Sequence, residues 1–145
     1  MKRLDGKVAI ITGSTLGLGK ASALLFAREG ATVVTCDRGR TPENAEKLLK
    51  EAEGLAGEVV YKQCDVMDKA DIVALCDFTK ERYGRVDIMV NNAIIDNPGG
   101  MIEEVELQDW EETIFCHMTA PLLFCKEVIP VMIEQGGGSI INVAS

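Results

Sequence analysis

Lys7-Val8-Ala9-Ile10-Ile11-Thr12-Gly13-Ser14-Thr15-Leu16-Gly17-Leu18-Gly19-Lys20 is the stretch whose reading decides the fold. Residues 7–11 form a short apolar run and predict a buried strand. Residues 20–29 predict a helix closed by Gly30. Between them lies a glycine-rich turn with the spacing Gly-x-x-x-Gly-x-Gly. A strand, such a turn and a helix opening make an anion site, because free backbone N–H groups and the positive end of the helix dipole converge there. Side chains at Gly13, Gly17 or Gly19 would hold a pyrophosphate away or push the helix off the sheet. Taken alone, the turn also fits a plain tight turn, since glycine serves both.

Working outward, Thr32-Val33-Val34-Thr35-Cys36 predicts a second strand ending at Asp37, eighteen residues beyond Gly19. An acidic residue near that offset accepts hydrogen bonds from an adenosine ribose and favours NAD over NADP. By itself Asp37 reads as a turn or cap residue, and Arg38 beside it leaves room for a 2′-phosphate. Pro42 to Glu53 predicts a helix with proline in its first turn. Val59 to Cys64 predicts a third strand, followed by Asp65-Val66. Asp68 caps a helix that runs to Tyr83 and stops at Gly84. Val86 to Val90 predicts a fourth strand leading into Asn91-Asn92-Ala93, and a loop holds Pro98-Gly99-Gly100. A long helical stretch runs from Asp109 to Glu134, with a kink near Cys116 to Ala120 because Pro121 lies inside it. Its apolar Ile114, Met118, Leu122 and Val128 read as ordinary core packing, with a dimer face as the alternative. Ser139 to Ser145 predicts a fifth strand. Strands alternating with helices predict an α/β fold: a doubly wound parallel sheet with helices on both faces.

The 145 residues suffice for one domain with a real core, and no linker or repeat divides them. Twenty-three acidic residues against fifteen basic ones give a net charge of −8, which argues against nucleic acid and against an anionic membrane surface as partners. No apolar run looks long enough to span a bilayer, and the first residues lack a signal-peptide core. Five cysteines without a Cys-x-x-Cys pair, and one histidine, offer no zinc spacing. Buried free thiols are expected, which fits a reducing cytoplasm.

Five motifs in order resemble the short-chain dehydrogenase/reductase family. They are Thr12-Gly13-x-x-x-Gly17-x-Gly19, Asp37, Cys64-Asp65-Val66, Asn91-Asn92-Ala93 and Ser139-Ile-Ile-Asn-Val-Ala-Ser145. The resemblance covers nearly the whole chain. It implies a Rossmann-type sheet of order 3-2-1-4-5, extended by further strands in full-length members. It also implies NAD(P)-dependent oxidation of a small alcohol or reduction of a carbonyl, with hydride passing between the nicotinamide and the carbinol carbon. By the same resemblance Gly13, Gly17 and Gly19 line the pyrophosphate, with Thr15 of that turn among the cofactor-binding residues. Leu18 lies on the nicotinamide side and Asp37 binds the adenosine ribose. Asp65 and Val66 border the adenine, and Asn91 and Ala93 pass under the cofactor. Asn91 also ties adjacent strands together. Ser145 falls at the catalytic serine, which polarises the substrate carbonyl.

Three departures accompany the match. The family's Tyr-x-x-x-Lys pair belongs about a dozen residues beyond Ser145, and neither Tyr61 nor Tyr83 replaces it, because Asp65 and Asp87 stand four residues on. The tyrosine must lose its proton near neutral pH, and the lysine lowers its pKa. The 145-residue chain is therefore expected to be a truncated, cofactor-binding portion without turnover. Its fifth strand would leave an open apolar edge that invites pairing with another chain. The isolated polypeptide is therefore expected to associate, to aggregate or to be part of a larger product, with a homo-oligomer as the expected partner state. Ile94 stands where the family has glycine, which matters if that position needs positive φ. His117 stands where the family has asparagine, and reads as a structural histidine. An alternative stays open: a non-catalytic nucleotide-binding or interaction module that pairs with a relative.

Overall fold

Strand β1 (Val8–Thr12) is buried along its whole length, and the sheet is built around it. The computed structural model describes residues 2–95 and 100–144. Strands β2 (Thr32–Cys36), β3 (Glu58–Tyr61), β4 (Ile88–Asn91) and β5 (Ser139–Asn142) complete a parallel sheet of order β3-β2-β1-β4-β5. This is the expected Rossmann-type order. Side chains alternate across β1. Ile10 joins Val34, Met89, Ile72, Leu75, Phe124 and Val128 on one face. Ala9 and Ile11 join Val33, Ala23, Ala27, Leu48 and Val90 on the other. Two cores on two faces explain why the central strands read as continuous apolar runs.

Helices α1 (Gly17–Arg28) and α2 (Pro42–Ala52) contribute to the second core, and α3 (Lys69–Tyr83) to the first. Asp68 caps α3 as expected, its side chain accepting from the Ala70 N–H at 2.7 Å. Gly84 ends it with φ at 70°. Two strands are shorter than the apolar runs suggest. β3 stops at Tyr61, and Val86 and Asp87 precede β4. Asp87 works instead as a tie at the amino ends of the strands. Its carboxylate, 6% exposed, accepts from the Val8 N–H at 2.9 Å and from Arg85 at 2.6 and 2.7 Å. Its own N–H donates to Val8 O, and its carbonyl accepts from Ser139 N.

The last helical stretch is continuous from Leu107 to Glu134, two residues earlier than the expected start. It comprises α4 (Leu107–Ile114), a widened π-turn (Phe115–Thr119) and α5 (Ala120–Glu134). The expected irregularity before Pro121 is this π-turn, which lets the helix pass a residue with no N–H to donate. Its inner face is Cys116, Ala120, Phe124, Val128 and Met132, spaced every fourth residue. Met118 and Leu122 are 64% and 59% exposed, which corrects the expectation of a single core stripe. They lie two residues off the inner face, about 200° round the helix.

The same continuity corrects the expectation about membrane-length segments. At 28 residues the helix is long and apolar enough to cross a membrane, by length and composition only. Between Thr113 and Pro130 the only residues among Asp, Glu, Lys and Arg are Lys126 and Glu127. β5 lies at the edge of the described sheet, with Ile140 packed on the core and Ile141 exposed. Cys36, Cys64, Cys76 and Cys116 are buried free thiols, and Cys125 is half-buried. Burial pushes Cys76 up to about 12, so it stays an inert thiol.

Burial pushes the Asp87 carboxyl upward, but the Arg85 bonds, the Val8 N–H and the charges of Arg85 and Lys7 together outweigh it and hold it below the ordinary aspartate range. Its stabilisation is therefore complete above the unfolded value of about 3.9 and is lost as pH falls through the lower folded value. Asp87→Ala is expected to cost about 1–3 kcal/mol in urea unfolding at pH 7. The gap to the parent should shrink below about pH 4.

Candidate functional site

The glycine turn is stitched to both neighbouring strands. Ser14 Oγ donates back to Ile11 O of β1 at 2.6 Å and, toward β2, accepts from the Cys36 N–H at 3.1 Å. Toward β4, the Asn92 side-chain amide donates to Thr12 O and Gly13 O, both at 3.0 Å. Thr12 Oγ1 accepts from the Asn92 and Ala93 N–H groups, each at 3.0 Å. The turn therefore sits over the β1/β4 gap, where the winding direction of the sheet reverses.

Each glycine has its own reason. A Cβ on Gly13 would stand 2.7 Å from Ala93 Cα. On Gly19 it would strike Gly13 O and the Asn92 side chain, so this residue lets α1 close on the turn. Gly17 has φ at 54° and open space in front of it. No side chain caps α1 and no acidic residue lies in its first turn. The amides of that turn are open to an anion, and the residues present fit a diphosphate. Leu18 projects into solvent, 61% exposed.

Asp37 follows β2 and draws several groups together. Its Oδ1 accepts from Tyr61 Oη at 2.8 Å and from the Gly39 N–H at 2.6 Å. Its Oδ2 accepts from Thr15 Oγ1. Thr15 and Asp37, separate cofactor-binding expectations, thus belong to one cluster. Burial, and then the Asp37 bond, push the Tyr61 phenol above its ordinary range. Asp65 accepts from the Met67 N–H at 3.0 Å, and its own N–H donates to Asp71. Val66 is buried and lines a cleft with Thr12, Asn91, Ala93, Cys116 and His117.

Asn91 Nδ2 donates to Asn142 Oδ1 at 2.8 Å, a tie between the adjacent strands β4 and β5, while its own Oδ1 is buried without a partner among the described residues. Ile94 is 68% exposed, and no non-glycine residue has positive φ among the described residues. The backbone at position 94 therefore does not demand glycine in this structure. His117 lies in the π-turn and is exposed at the cleft. Ser145 and Pro98-Gly99 lie outside the described residues.

The family model described as short chain dehydrogenase matches residues 7–145. The chain belongs to the short chain dehydrogenase family. It is 42% identical over 143 residues to 3-oxoacyl-(acyl-carrier-protein) reductase FabG of Thermotoga maritima, covering 99% of this chain and 57% of that protein. A metagenomic short-chain oxidoreductase crystallised in complex with NADP matches with a TM-score of 0.91 at 32% identity, over 98% of this chain and 63% of that one. A 7 alpha-hydroxysteroid dehydrogenase complexed with NADH and 7-oxo glycochenodeoxycholic acid matches with a TM-score of 0.90 at 34% identity, over 99% of this chain and 55% of that one. The chain spans about half the length of the relatives it matches.

Sequence reasoning missed the joining roles of Thr12, Asn92 and Tyr61. The signal for Tyr61 was present: in a parallel pair it stands in register with Thr35, two residues before Asp37. Gly19→Ala is expected to destabilise the short chain dehydrogenase fold by about 1–3 kcal/mol through overpacking. Gly17→Ala should cost about 1–2 kcal/mol through its left-handed φ. Urea unfolding of the two variants checks both values.

Proposed function

We propose that this chain is the cofactor-binding portion of an NAD(P)-dependent oxidoreductase that interconverts a small alcohol and its carbonyl, with NAD preferred over NADP. One observation carries the reading: an open, uncapped glycine turn lies over the β1/β4 gap, beside a carboxylate fixed at the end of β2. In this reading the diphosphate meets the amides around Gly13, Thr15, Gly17 and Gly19, with Leu18 toward the nicotinamide. Asp37 accepts from the adenosine ribose. Asp65 and Val66 border the adenine, and Asn91 and Ala93 form the floor. When bound, the dinucleotide supplies the hydride donor or acceptor.

Ser145 holds the substrate oxygen in this reading. The proton passes through a tyrosine and lysine that residues 1–145 do not contain as a Tyr-x-x-x-Lys pair. The chain by itself binds and orients without turning over. Its free thiols suit a reducing compartment such as the cytoplasm. The exposed Met118, Leu122, Ile133 and Ile141 favour association into a homo-oligomer.

Calorimetric titration of the purified chain with NAD+, NADH and NADP+ tests this directly. One site per chain is expected, with NAD+ at least about tenfold tighter than NADP+, or about 1.4 kcal/mol. Gly17→Ala should remove the binding while the chain stays folded. No heat with any dinucleotide would sink the reading, and tighter NADP+ would reverse the preference. Incubation with NAD+ and a panel of secondary alcohols should give no NADH. Sustained turnover by the pure chain would show that the proton has another route.

A further inference from the structure

The Asp37 carboxylate is gripped by more donors than a ribose contact requires. An ionised carboxylate offers about four lone-pair sites. Among the described residues three are taken: two on Oδ1, by Tyr61 and the Gly39 N–H, and one on Oδ2, by Thr15. One acceptor position remains, on Oδ2. A ribose hydroxyl is a donor and suits it. A 2′-phosphate brings only acceptors and close to two negative charges, so it can enter only if Asp37 turns away. Turning away means releasing both hydroxyls. Neither can follow, because Tyr61 sits on β3 in register with Thr35, and Thr15 is buried in a turn that Ser14 pins to β2.

We propose that Tyr61 and Thr15 are positioning residues that set the dinucleotide choice of this chain: by holding the Asp37 carboxylate in place, they admit a free 2′-hydroxyl and reject a 2′-phosphate. The inference rests on the function proposed above and deepens it. The raised phenol keeps Tyr61 a donor across the working pH range. Arg38, next in sequence, is half-buried and forms no ion pair among the described residues. It is the charge that a 2′-phosphate would meet once Asp37 is released.

The test measures NAD+ and NADP+ dissociation constants by calorimetry for the full 145-residue chain, Tyr61→Phe, Thr15→Val, Asp37→Asn and the Asp37→Asn/Tyr61→Phe double variant, with thermal melts of each. The ratio of NAD+ to NADP+ affinity should fall about tenfold in Tyr61→Phe and in Thr15→Val; in Tyr61→Phe, which does not touch the dinucleotide, the fall comes mainly through tighter NADP+, with NAD+ changing less than about threefold. Adding Tyr61→Phe to Asp37→Asn should move the ratio no further, because the clamp has lost its object. An unmoved ratio in both single variants overturns the inference. So does an equal fall in both affinities, which is what a merely structural role would produce. If only one variant folds, the other decides; loss of fold in both overturns it, because the clamp is then a structural tie. Absence of NAD+ binding by the unmutated chain overturns the proposed function and this inference with it, whereas NAD+ binding with an unmoved ratio overturns this inference alone.

Discussion

The hydroxyl of Thr12 is the contact on which the site depends. It accepts from two successive backbone N–H groups, those of Asn92 and Ala93, where β4 leaves the sheet. Buried amides must find acceptors, and here one side chain at the end of β1 serves both. The Asn92 side chain returns the bond to Thr12 O and Gly13 O. This reciprocal closure brings Ala93 against Gly13 so tightly that no Cβ fits between them. The glycine at position 13 is thus a consequence of the strand closure as much as a provision for a ligand.

The turn that results has two differently built halves. Gly13 and Gly19 are packed against protein, and their small size is used inside the fold. Gly17 faces open space, and there the missing side chain serves whatever approaches from outside. On the β2 side Thr15, Tyr61 and the Gly39 N–H hold the Asp37 carboxylate by three hydrogen bonds. The two sides of the crevice thus carry opposite electrostatic character, helix amides on one and a carboxylate on the other. That asymmetry matches a ligand with an anionic middle and hydroxyl-bearing sugars.

Much of the architecture was legible in the sequence because β1, β2 and β4 are buried on both faces and their apolar runs are unbroken. Gly84, Asp68 and Pro42 punctuated the helices by local chemistry that needs no tertiary information. The ends of β3 and β4 were less legible, since Cys64 and Val86 are apolar and buried without belonging to a strand. The long helix misled in a different way. Met118 and Leu122 look like core residues beside Val128, but the π-turn and the every-fourth-residue ladder from Cys116 to Met132 leave them outside. In the site, the order of the motifs located the crevice, while the partners of Asp37 depended on parallel register. Register is a relation between residues twenty-six apart in sequence, such as Thr35 and Tyr61, and no local pattern displays it.

Asp87 ties β1, β4 and β5 at the amino ends of the strands, the rim opposite the crevice. Anchorage and recognition therefore occupy separate poles of one sheet. Substitutions that retune what the crevice accepts do not touch the Asp87 bonds at the far pole, so that part of the sheet's closure is independent of the ligand-facing residues.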